Sequence, residues 1–301
     1  MVEKLIKKAE VLLEALPYIR KFRGQTFVIK YGGSAMVNEE LRETFARDVV
    51  LLKLVGINPV IVHGGGKHIN EMLKKLGISV EFVGGLRKTT EEVMHIVEMV
   101  LSGDINKDIV ALINKHSGEK IYAVGLSGRD GRLLKAKKID SSYFSEKLGI
   151  KPPSGDIGLV GEVERVNTEP IKTLLEKNYI PVIAPIGVGE RGEAYNINAD
   201  IAAAEVAKAL RAEKLIYLTD TEGVKDKNGN LIKKLKDTQV EELIKDGTIG
   251  GGMIPKVRSA VSALKGGVGK VHIIDGRLSH SILLEIFTDE GVGTEITLKV
   301  D

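Results

Sequence analysis

Residues 59–70 read PVIVHGGGKHIN: a short β-branched run, three consecutive glycines, then the opening of a helix-like segment. Apolar runs bounded so tightly read as buried strands. Glycine is costly to order, and Gly64, Gly65 and Gly66 stand where this strand ends. Such a run is kept where a backbone turns sharply, or where a ligand approaches backbone N–H groups with no Cβ in the way. The stretch is a strand, a glycine loop and a helix in succession, the repeating unit of a parallel α/β sheet.

The unit recurs along the chain. FVIKY (27–31), IYAVG (121–125), IPVIAP (180–185), KLIYLT (214–219) and VHIID (271–275) read as further buried strands. Helical patterns lie at 39–55, 67–76, 90–116, 168–177, 199–211, 238–246, 254–265 and 279–286. This alternation predicts an α/β fold, an open and mostly parallel sheet sandwiched between helices. Residues 132–139 and 157–167 alternate polar with apolar, which predicts antiparallel hairpins on the edge of the first half. GVGERGEA (187–194) is Gly-rich and charged, and places a boundary near residue 190 between lobes 25–190 and 191–301. Ahead of them, Val2, Leu5, Ile6, Ala9, Leu12, Leu13 and Leu16 recur at helical spacing. Pro17 is expected to close that amphipathic helix, which with its linker spans 1–24 and docks on its own subunit or on a neighbour.

Composition excludes several classes. With 301 residues and 43% apolar content, the chain can bury an ordinary core. Lysine and arginine total 44 against 41 acidic residues, and a net charge of +3 leaves no basic footprint for nucleic acid. The absence of cysteine excludes disulfides, thiolate metal sites and cysteine nucleophiles, and fits a cytoplasmic protein. No apolar run approaches the ~20 residues of a membrane span. No pair of histidines at zinc-binding spacing on one helix and no G-x-S-x-G elbow is present.

Four loops join glycine to charge: KYGGS (30–34), HGGGKH (63–68), GLSGRDG (125–131) and GTIGGGMIPK (247–256). Ligands of parallel sheets collect at the carboxyl ends of strands, where at least the first three loops fall, so a polyanion is expected. Neither standard phosphate fingerprint fits: Gly66-Lys67 is followed by His68, and a dinucleotide frame from Gly64 ends at Ile69. The ammonium of Lys30 is expected over an anion held by the Gly32 and Gly33 amides, with Lys256 closing on it or lying on a helix face. Arg87, beside the Gly84-Gly85 turn, suits bidentate capture of a carboxylate or stands on the surface. In YNINAD (195–200), Asn198 is a fair helix cap, while Asp200 orients two lysines or binds metal through water. Thr219 and Asp220 in LTDTEGV (218–224) form a turn that also suits a nucleotide.

KYGGSAM, VIVHGGGKHIN, GLRKTT, AVGLSGRDG, YNINAD, LTDTEGV and GGGMIPK come in the order of the amino acid kinase family, and the chain resembles its branch that phosphorylates N-acetyl-L-glutamate in arginine biosynthesis. The resemblance runs almost the whole chain. It implies an ATP-dependent transfer to the γ-carboxylate, with Lys30 and Lys256 stabilising the phosphoryl group and Asp200 organising both. It implies Gly65, Gly66, Arg87 and Asn196 around the acyl acceptor, with lobe 25–190 as the acceptor-binding lobe that also dimerises. ATP, with Mg²⁺ carried on it and no protein metal site, falls to the C-terminal lobe and to Gly32, Gly33, Thr219, Asp220 and Gly252. The N-terminal helix and the tail at 279–296 resemble those of arginine-inhibited, homohexameric members, which makes Tyr18, Glu285 and Gly293 candidate arginine-site positions. A carboxylate nucleophile is already ionised at neutral pH, so no general base is required. A catalytically silent, arginine-sensing member is the alternative.

Overall fold

The computed structural model describes residues 6, 10, 13–145, 151–152 and 155–298. Its strands are β1 (Thr26–Tyr31), β2 (Asn58–His63), β3 (Phe82–Val83), β4 (Leu86–Arg87), β5 (Tyr122–Ser127), β6 (Leu134–Lys138), β7 (Gly161–Val166), β8 (Tyr179–Ala184), β9 (Ile186–Val188), β10 (Ala194–Asn196), β11 (Lys214–Thr219), β12 (Lys234–Lys236), β13 (Lys270–Asp275) and β14 (Thr294–Thr297). The α-helices of seven or more residues are α1 (Leu16–Phe22), α2 (Glu39–Leu54), α3 (Gly66–Lys75), α4 (Glu91–Glu98), α5 (Asn106–Ser117), α6 (Glu169–Glu176), α7 (Ala199–Leu210), α8 (Asp237–Lys245), α9 (Met253–Lys265) and α10 (Ser281–Phe287).

Eight strands form one sheet in the order β12-β14-β13-β11-β1-β2-β8-β5, parallel except where β14 runs against β13. Side chains alternate across the pleat, and a strand apolar at every position is covered on both faces. Phe27, Ile29 and Tyr31 of β1 enter the core shared with α2, α4 and α5, while Val28 enters the core shared with α7 and α9. By the same parity Lys30 faces α7 and α9, and His63 faces α5. Three helices, α2, α4 and α7, begin where short polar side chains supply caps: Asn38 accepts from Leu41 N–H, Thr90 from Val93 N–H, and Asn198 from Asp200 and Ile201 N–H.

Several expectations change. Residues 134–138 and 161–166 do pair antiparallel, but they join β9 and β10 in a separate four-stranded sheet instead of extending the main one. GVGERGEA is the hairpin connecting β9 to β10 within that sheet. The helix expected over 90–116 is interrupted by a π-helical stretch, Met99–Ile105, between α4 and α5. The helical Leu13 and Glu14 are followed by a break at Ala15, and Pro17 stands in the first turn of α1, where its missing N–H costs nothing because that donor has no partner anyway. Most of the earlier apolar stripe, Val2, Leu5, Ala9 and Leu12, lies outside the described residues, and its described members Ile6, Leu13 and Leu16 are exposed.

Candidate active site

The carboxyl ends of β1 and β2 and the amino ends of α3 and α7 converge on a cavity of about 240 Å³. Lys30 crosses from the end of β1 and its Nζ lies 3.2 Å from Asp200 Oδ1. Lys256, in the first turns of α9, reaches the other oxygen at 2.6 Å. Asp200 sits in the first turn of α7, where the helix dipole and the Asn198 cap hold it. Burial alone would raise its carboxyl pKa, but the charges of Lys30 and Lys256 outweigh that and hold it well below the usual carboxylate range. Burial also lowers Lys256, which Asp200 partly restores. The Tyr217 ring lies beneath, with Lys256 Nζ 5.1 Å from its centroid and its hydroxyl on Ser259 Oγ at 2.9 Å. Two ammonium groups share one carboxylate, so the trio keeps a net positive charge facing the cavity.

The glycines play different parts. A Cβ on Gly32 would fall 2.5 Å from Lys30 Nζ, so the ammonium lies directly over that backbone. Gly33 has φ +72, and a Cβ there would meet Asp220 Oδ1 at 2.4 Å. Asp220 accepts from Ser34 N–H at 2.5 Å. Gly65 is packed against the π-helical stretch: a Cβ would lie 2.4 Å from Ile105 Cδ1 and 2.5 Å from Leu101 Cδ2. Gly66 meets nothing closer than Arg87 Nη2 at 4.0 Å. Gly65 caps α3 without any side chain, which leaves the first N–H groups of that helix for a ligand.

Arg87 is not a surface residue. It is buried, donates from Nη2 to Gly66 O at 3.2 Å, lies 4.8 Å from the Phe82 ring centroid, and leaves Nη1 without a partner. An orphaned guanidinium nitrogen in a cavity wall fits a ligand carboxylate. Asn196 completes that side and donates to Thr89 Oγ1 at 3.2 Å. The β3–β4 hairpin brings Phe82, Gly85, Leu86 and Arg87 to the wall. The Gly-Gly turn between two β-formers in FVGGLR was its signal in the sequence.

Two of the four glycine loops act otherwise than expected. GLSGRDG stands at the end of β5 but outside the cavity lining: Asp130 accepts from Ser127 N–H at 2.7 Å, and Arg129 binds Glu98 and Gly192 O. A Cβ on Gly128 would strike Ile186 O at 2.1 Å, so that glycine serves packing. In the fourth loop Gly252 caps α9 and aims Lys256, but does not itself line the cavity. A neighbouring cavity of about 460 Å³ runs from Asp220 along residues 221–226 to Thr248, Gly250 and Arg277. The Thr219 hydroxyl is spent on Thr221.

Tyr18, Glu285 and Gly293 meet in a third cavity, of about 350 Å³, between α1, α10 and the edge of the sheet. Glu285 is buried, accepts from His272 Nδ1 at 2.6 Å and from the N–H groups of Val292 and Gly293, and is therefore not a solvated helix residue. Burial would raise it, but His272 and those amides together hold it below the usual range. Lys214 donates to His272 Nε2 at 2.8 Å, and burial pushes Lys214 down to about 8. The Tyr18 hydroxyl donates to Asp289.

The chain belongs to the amino acid kinase family, whose model matches residues 25–275. Kinases of this family use ATP. At 70% identity to the acetylglutamate kinase of Aquifex aeolicus (strain VF5), over 99% of this chain and 100% of that one, it belongs with the acetylglutamate kinases. The fold also matches the N-acetylglutamate synthase of Neisseria gonorrhoeae complexed with coenzyme A and N-acetyl-glutamate, at TM-score 0.83 and 28% identity, covering 97% of this chain and 64% of that one. The same synthase complexed with coenzyme A and L-arginine matches at TM-score 0.81 and 27% identity, covering 96% and 65%.

Proposed function

We propose that the chain transfers the γ-phosphoryl group of ATP to the γ-carboxylate of N-acetyl-L-glutamate, giving N-acetyl-L-glutamyl 5-phosphate for arginine biosynthesis. The observation that carries this is Lys30 and Lys256 held on one partly buried Asp200, opposite a buried Arg87 with a free guanidinium nitrogen. Arg87 and Asn196 hold the acceptor through its other polar groups, and the amides of Gly65 and Gly66 face its γ-carboxylate. That nucleophile needs no base, so catalysis is alignment plus stabilisation of charge on the transferring group. Lys30 and Lys256 supply the stabilisation, and Asp200 keeps both ammonium groups at the site of transfer. Gly32 and Gly33 lie beside them for the phosphates, with Thr219, Asp220 and Gly252 framing the nucleotide side.

Mg²⁺ binds through substrate phosphates and water more readily than in a protein cage. The acceptor side is built mostly from the lobe before residue 190, whereas Asp200, Lys256 and the Asp220 cavity come from the lobe after it.

The regulatory reading is feedback inhibition by L-arginine in the cavity of Tyr18, Glu285 and Gly293, where the carboxylates of Asp289, Glu290 and Glu295 suit a guanidinium and the lysines that share the lining, Lys214 and Lys270 among them, suit a carboxylate. The N-terminal helix then links dimers into a homohexamer, in the cytoplasm; among the described residues no helix is long and apolar enough to cross a membrane. One assay tests these points together: ADP release over N-acetylglutamate, glutamate and aspartate, with and without arginine. N-Acetylglutamate alone should support turnover, arginine should suppress it, and Lys30→Met or Lys256→Met should lower kcat by about 10²–10³, as loss of one charge-stabilising donor does. Turnover on glutamate or aspartate alone would overturn the assignment.

A further inference from the structure

His63 ends β2 immediately before the glycine loop and is fully buried. Its Nδ1 lies 2.8 Å from the carbonyl oxygen of Gly64, and its Nε2 lies 3.2 Å from Asn106 Nδ2. A carbonyl only accepts and an amide nitrogen only donates, so the ring is neutral with its proton on Nδ1. Burial keeps it neutral by pushing its pKa down to about 4. Asn106, also fully buried, is fixed in turn: Nδ2 reaches Val182 O at 2.9 Å on β8, and Oδ1 accepts from Lys107 Nζ at 3.0 Å. It fits only because Gly125 of β5 has no side chain, since a Cβ there would lie 1.9 Å from Asn106 Oδ1.

A trans peptide is planar, so the oxygen of Gly64 and the N–H of Gly65 point in opposite directions. Holding that oxygen on the His63 ring turns the Gly65 N–H away from the ring, and Gly65 is one of the residues that line the cavity. Glycine by itself has no preference to hold this orientation. Resting on the acceptor-side reading of Gly65 and Gly66, we infer that His63 and Asn106 are positioning residues for phosphoryl transfer: through the Gly64 carbonyl they preset the amides that receive the acceptor's carboxylate.

Two conservative variants separate this role from packing. His63→Asn keeps a nitrogen near the place of Nδ1, whereas His63→Gln reaches the place of Nε2 and has no donor for Gly64. Steady-state kinetics of the full chain should show His63→Gln losing about 10²-fold in kcat/KM for N-acetylglutamate, the effect of one misaligned donor. KM for ATP should be unchanged, and His63→Asn should recover most of the loss. Asn106→Asp, which offers an acceptor to Nε2 and so draws the ring proton away from Gly64, should show the same selective loss. The inference is overturned if His63→Gln matches or exceeds His63→Asn, if KM for both substrates rises together, or if Asn106→Asp retains wild-type kinetics. Where thermal melting shows a His63 variant unfolded, Asn106→Asp alone decides. Absence of acetylglutamate-dependent ADP release in the unmutated chain would instead refute the underlying acceptor reading.

Discussion

Among the three glycines after β2, the structure makes different demands at each position. Gly65 has no room for a Cβ between Ile105 and Leu101, whereas a Cβ on Gly66 would meet only the Arg87 guanidinium at ordinary contact distance. Gly65→Val therefore forces the loop off the π-helical stretch, a misfit of about 1–3 kcal/mol by the usual cost of overpacking. In ADP-release kinetics it should raise KM for N-acetylglutamate far more than KM for ATP, and Gly66→Ala should be much milder. Equal loss toward both substrates would reduce the loop to a simple turn. The glycines were legible in the sequence as a site, but which of them is sterically obligatory was not, because the atoms that fill the space belong to residues about 40 positions away. Arg87 shows the same limit: its residue type suggested carboxylate capture, but its burial and its bond to Gly66 depend on a hairpin folding back over α3.

At the scale of elements, the π-helical stretch Met99–Ile105 is the feature with most bearing on the site. Its wider turn inserts register into an otherwise α-helical run and sets Leu101 and Ile105 against Gly65, with Asn106 next in line under His63. Gly103 lies within it, and a Cβ there would meet nothing within 4 Å. Deleting Gly103 restores α-helical register and turns Asn106 by about 100° relative to α4. The variant should stay folded by circular dichroism yet lose most turnover on N-acetylglutamate; unchanged kinetics would show that the stretch does not set the loop. The apolar periodicity of 90–116 predicted a helix and cannot reveal a local change of hydrogen-bond partner, since the same side chains remain buried on the same face. The strands were legible for the opposite reason, as their β-branched runs are buried on both faces and leave no competing period.

Across the whole molecule, burial of titratable groups links stability to pH. His63 is neutral in the fold with a pKa near 4, below the 6.5 of an unperturbed histidine. Between those values the unfolded chain binds a proton that the native chain does not, so stability rises with pH through that window and falls as pH drops from 6.5 toward 4. Thermal melts should follow this trend, and His63→Asn should flatten it by ~2–3 kcal/mol across the window. An unchanged slope would mean that other groups carry the acid sensitivity. By itself the sequence determined the alternation of strands and helices, the glycine loops at strand ends and the identity of the charged residues, because these follow from local periodicity and side-chain chemistry. The tertiary structure alone decided that Lys30 and Lys256 share Asp200, that Glu285 is buried on His272, and that GLSGRDG stands apart from the cavity. Those outcomes depend on which face of the sheet each side chain leaves and which distant helix covers it, and sheet parity and crossover geometry fix both only once the chain is folded.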